Sequence, residues 1–85
     1  MKTVVIYASS ACPYCVMAEQ LLEEKEVQPE IRLIDENPAY IAEAIEKSGG
    51  RRTVPRIFIG NHHVGGYDEL AALEKDGRLD DLLRA

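Results

Sequence analysis

Apolar positions along the chain follow two rhythms that take turns from one end to the other. Thr3 to Tyr7 is an unbroken apolar and β-branched run, the pattern of a strand covered on both faces, and Ala8-Ser9-Ser10 closes it. From Pro13 the rhythm becomes helical. Proline suits the first helical position, and Ala18, Leu21 and Leu22 follow at spacings of three and four until about Lys25. Ile31 and Leu33 alternate with polar neighbours, which predicts a second strand. Asn37-Pro38 then opens a helix with Ile41, Ala44 and Ile45 on its inward face, ended by Gly49-Gly50. Arg56 to Ile59 and His62 to Val64 read as short antiparallel strands joined at Gly60-Asn61, a pair that tolerates positive φ. Asp68 is placed to cap a third helix with Leu70 and Leu73 inward and Gly77 at its end, and Leu79, Leu82 and Leu83 mark a last short helix.

The order β-α-β-α-β-β-α implies one parallel crossover pair with a hairpin added to the same sheet. That is an α/β plan of the thioredoxin-like kind: a four-stranded mixed sheet with a short C-terminal helix. At 85 residues the chain is too short to divide its apolar surface between two cores, so residues 1–85 are expected to form a single domain. A composition of 46% hydrophobic and 29% charged residues is that of an ordinary globular protein. The formal net charge of −5, with no basic stripe, argues against nucleic acid as a partner. Neither a long apolar segment nor a small-residue cleavage site follows Met1, so the expectation is an unprocessed cytoplasmic protein that does not engage membranes; it is also expected to be a monomer.

The chemistry is concentrated in Cys12-Pro13-Tyr14-Cys15, where the first strand gives way to the first helix. Unpaired N–H groups and the positive end of the helix dipole favour a thiolate at such a position, so Cys12 is the candidate nucleophile. Cys15 lies one helical turn on, within disulfide reach, and faces inward as the candidate resolving thiol. Two cysteines alone supply half of a structural zinc shell. The neighbouring His62 and His63 on the hairpin should point to opposite faces, so a zinc reading is the weaker one.

Three motifs occur in order: Cys12-Pro13-Tyr14-Cys15, Thr53-Val54-Pro55 and Gly65-Gly66-Tyr67-Asp68. Together they make the chain resemble a bacterial-type dithiol glutaredoxin over nearly its whole length. The resemblance implies a glutathione-dependent disulfide oxidoreductase, with glutathione as cosubstrate and no tightly bound cofactor or metal. It implies a cis bond before Pro55, so that the Val54 backbone offers a peptide ligand an edge to pair with. It places the γ-glutamyl carboxylate of glutathione at the backbone of Tyr67 and Asp68, where Gly65-Gly66 allow close approach and a helix N-terminus offers free N–H groups. Asp68 or Glu69 would receive the ligand's ammonium group, and Tyr14 would form an apolar wall beside Cys12. In many family members a lysine stands three positions before the nucleophile, where this chain has Ser9. Arg51 and Arg52, just before Thr53, are the candidate replacements for gripping the glycine carboxylate, because a guanidinium fork matches carboxylate geometry. Expected protein partners are disulfide-containing or glutathionylated proteins, ribonucleotide reductase among the candidates. Two rival roles remain open at this point: a redoxin fed by thioredoxin reductase, and a carrier of an iron–sulfur cluster shared between two chains.

Overall fold

A computed structural model describes residues 2–51 and 53–84. Four strands, β1 (Val4–Ala8), β2 (Glu30–Leu33), β3 (Arg56–Ile59) and β4 (His62–Gly65), form one mixed sheet in the order β2-β1-β3-β4. β1 runs parallel to β2 and antiparallel to β3, and β3 and β4 form the hairpin. Among the described residues there are also four helices: α1 (Pro13–Glu24), α2 (Ala39–Lys47), α3 (Tyr67–Lys75) and α4 (Leu79–Arg84). This is the thioredoxin-like architecture that the order of elements implies. Among the described residues, no helix is long and apolar enough to cross a membrane.

The alternation of β1 divides its side chains between two cores. Val4, Ile6 and Ala8 join Ile57 and Ile59 against Ala18 and Leu22 of α1, Leu70 of α3, and Leu79 and Leu83 of α4. Tyr7 and Phe58 face the other way, against Ala44 of α2. Strand β1 begins one residue later than its apolar run and ends one later, because the parallel ladder continues to Ala8 opposite Leu33.

Two expectations need correction. Ile41 does not face the core; it is exposed, and the inward positions of α2 belong to Tyr40 and Ala44. The Tyr40 ring sits edge-on to Tyr7, 6.4 Å between centroids, with the Arg32 guanidinium over it. An aromatic held from two sides sets the helix rotation more firmly than an aliphatic stripe of three. Asp68 does not cap α3 either. Gly66 is the cap residue, and Glu69 reaches back to accept a hydrogen bond from its N–H at 2.6 Å, which leaves Asp68 exposed in the first turn.

Candidate functional site

The loop that leaves β1 is fixed before it reaches the cysteines. The Ser10 N–H donates to both carboxylate oxygens of Asp35, at 3.2 Å each, which ties this loop to the turn after β2. Hydrogen bonding from Ser10 holds the Asp35 carboxyl below the usual carboxylate range. Cys12 then takes the cap position of α1 with extended backbone (φ −110°, ψ 105°), and its carbonyl accepts the first helical bond, from Val16. Its sulfur accepts the Cys15 N–H at 3.2 Å, so a free amide of the helix N-terminus is aimed at the candidate nucleophile. On its other side the sulfur lies 4.0 Å from the Val54 carbonyl.

Cys15 has a different setting. It is only 5% exposed and packs with Ala18 and Leu22. Burial first, and then the hydrogen bond and charge of Cys12, push its thiol up to about 12. Both cysteines are free. The pair thus combines a partly accessible sulfur at the helix N-terminus with a covered one that keeps its proton.

Beside the cysteines lies an open groove of about 190 Å³, whose walls include Tyr14, Val54, Pro55, Gly66, Tyr67 and Asp68. The Val54-Pro55 bond is cis. Tyr14, 59% exposed, faces Tyr67 across 6.2 Å between ring centroids. Gly65 has φ +122°, a backbone conformation that favours glycine, and a Cβ there would lie 2.6 Å from the Glu69 carboxylate and displace it. The first amide of α3 to bond within the helix is that of Leu70, to Gly66, which leaves the N–H groups of the first turn, in residues that line the groove, without a partner in the helix.

Residues 4–64 of the chain match the family model described as Glutaredoxin. The chain belongs to the glutaredoxin family. It is 49% identical to a glutaredoxin of Pseudomonas aeruginosa over 85 residues, the full length of both chains. It is 50% identical to glutaredoxin 1 of Rickettsia felis over 84 residues, 98% of this chain and 82% of that one. Among solved structures, a buckwheat glutaredoxin–glutathione complex superposes with a TM-score of 0.87 at 28% identity, covering 98% of this chain and 77% of that one. Family and cysteine geometry together make this a thiol-disulfide oxidoreductase.

Most of the residues singled out from the sequence converge on this groove. Cys12, Tyr14, Val54, Pro55, Gly66, Tyr67 and Asp68 line it or adjoin it. Thr53 sits at its edge with its hydroxyl turned to Arg56. Arg51 is exposed outside the lining, its backbone clasped by the Ser48 hydroxyl, and Arg52 lies outside the described residues. His63 stacks on Phe58 at 4.9 Å between ring centroids and contacts Arg56, not the cysteines.

Arg56 is the lining residue that sequence reasoning missed. In the sequence it stands simply as the first residue of a strand. The available signal was a charge heading the run Arg56-Ile57-Phe58-Ile59, all four of which are buried. A cation at a buried strand position, directly after the proline of the site, calls for an explanation.

Proposed function

We propose that the protein reduces glutathione mixed disulfides and protein disulfides in the cytoplasm with glutathione as its electron donor. The observation that carries this reading is the groove next to Cys12, which offers a backbone edge at Val54 at one end and the free amides of α3 at the other. An extended tripeptide with a carboxylate at each end suits that arrangement.

In the monothiol half of the cycle, the Cys12 thiolate attacks the glutathionyl sulfur of a mixed disulfide. The target thiol leaves and takes up a proton, and Cys12 carries glutathione. The thiolate of a second glutathione attacks that sulfur, releasing glutathione disulfide and regenerating Cys12. With a protein disulfide, Cys12 forms the mixed disulfide and Cys15 resolves it. Two of the influences that hold the Cys15 proton, the hydrogen bond and the charge of Cys12, disappear once the Cys12 sulfur is in a covalent bond. Attack by Cys15 on Cys12 then expels the reduced protein, and two glutathione molecules reopen the Cys12-Cys15 bond.

The test is turnover of a glutathione mixed disulfide coupled to glutathione reductase, compared with disulfide reduction coupled to thioredoxin reductase. The first should run and the second should not. Activity only with thioredoxin reductase would move the protein to the rival redoxin role.

A further inference from the structure

The Arg56 side chain is 7% exposed, yet it lines the groove. Its Nε donates to the Thr53 carbonyl at 2.9 Å and its Nη2 to the Thr53 hydroxyl at 3.1 Å, so one guanidinium face braces the turn that precedes Val54. Its Nη1 lies 3.3 Å from His63 Nε2; because arginine only donates, that nitrogen accepts and the imidazole is neutral there. A Cβ built on Gly66 would stand 3.3 Å from Arg56 Nη2, which puts the guanidinium directly behind the cap residue of α3.

Buried charges are ordinarily paired. Among the described residues, none of the ion pairs includes Arg56. Glu69 is the acidic group whose charge reaches it, but one oxygen of that carboxylate is committed to the Gly66 N–H. The other charges around it are positive. Arg51 acts on Arg56, and Arg51, Arg56 and His62 all act on His63, lowering it beyond the effect of burial. Arg51 and Arg56 are thus two like charges that act on each other, and Arg56 is the one that lies behind a helix N-terminus. An anion at that terminus would relieve the repulsion.

We infer that Arg56 is a positioning residue that makes the site demand the α-carboxylate of the γ-glutamyl end of its ligand, by placing a covered positive charge behind Gly66 while bracing the Thr53 turn. The inference rests on the glutathione reading above. The charge adds to the dipole field of α3 where the glutathione reading puts that carboxylate, and low exposure limits its screening by solvent. The demand is a matter of specificity: a thiol peptide without this carboxylate would still find the Val54 edge and Cys12, but not the charge.

The experiment compares two small mixed disulfides of 2-mercaptoethanol, one with glutathione and one with 4-aminobutyryl-cysteinylglycine, which lacks only the α-carboxylate. Glutathione and glutathione reductase serve as the common recycling system. Wild type should favour the glutathione compound by about tenfold or more in kcat/KM. In Arg56→Gln, which keeps hydrogen-bonding capacity and loses the charge, that preference should shrink to about threefold or less, mainly through KM. Arg56→Lys keeps the charge without the fork, so it should retain the preference while KM rises for both compounds. A wild-type preference below twofold overturns the inference. So does an Arg56→Gln variant that keeps the wild-type preference, or one that loses equally on both compounds, as a merely structural role would require. Should Arg56→Gln fail to fold by circular dichroism, Arg56→Lys decides: a lost preference there overturns the role of the charge. Failure of wild type to turn over either compound would instead strike the glutathione reading itself.

Discussion

Cys12 and Cys15 are one helical turn apart, and their surroundings assign them opposite behaviour. Only Cys12 combines partial exposure with an amide donor on its sulfur. Iodoacetamide at pH 7 should therefore modify Cys12 far faster than Cys15, read by peptide mass spectrometry of the reduced protein. Comparable labelling of Cys15 would mean the nucleophile is misassigned. Burial of Cys15 also has a thermodynamic consequence. On unfolding its thiol ionises near the ordinary value of about 8.5. In the fold it keeps its proton up to about 12. Between those values the folded state binds more protons, so this contribution to stability is full below the lower value and is lost as pH rises toward the upper one. The slope should be up to about 1 kcal/mol per pH unit. Urea unfolding of the reduced protein from pH 7 to 10.5 should show that decline, and Cys15→Ser should flatten it. Equal slopes in both proteins would show that Cys15 is not the source.

Among the elements, α2 depends most visibly on polar contacts. The Tyr7 hydroxyl, on a fully buried ring, donates to Glu43 at 2.8 Å, and Arg32 donates to both the hydroxyl and the same carboxylate oxygen. One carboxylate thus ties α2 to β1 and β2. Glu43→Ala should lower stability by about 1–2 kcal/mol, and Glu43→Gln, which keeps an acceptor, should lower it less. Urea unfolding checks both; no change in either would mean the cluster contributes nothing. This cluster also explains what was legible in the chain and what was not. Strands and helix ends announced themselves through local chemistry: the proline at the start of α1, Gly49-Gly50 after α2 and Gly60-Asn61 in the hairpin. The rotation of α2 did not, because it is set by Tyr7 and Arg32, residues far away in sequence. The cap of α3 was misread for a related reason: Asp68 and Glu69 are equivalent on paper, and the path of the chain through Gly65-Gly66 decides which one folds back.

On the scale of the whole molecule, Arg51 and Arg56 come together beside a groove whose lining also carries Asp68 and Glu69, whereas Glu19, Glu23 and Glu24 lie along α1. Net charge, summed over the chain, hid this arrangement. Motif order revealed the cysteines, the Thr53-Val54-Pro55 turn and the glycine pair, since those are adjacent in sequence; the grouping of cations depends on strand pairing.

Strand β1 lies inside the sheet, with β2 on one side and β3 on the other, and its last residue leads directly into the loop that carries Cys12. Amide hydrogen exchange should make this visible. Protons of Ile6 and Ile57 should exchange only through global opening, while those of β2, at the sheet's edge, should exchange through a smaller opening of lower free energy. Faster exchange at Ile6 than in β2 would contradict this order. The nucleophile is thus mounted on a strand held from both sides, and fraying at the β2 edge would reach it through the bond of Ser10 to Asp35.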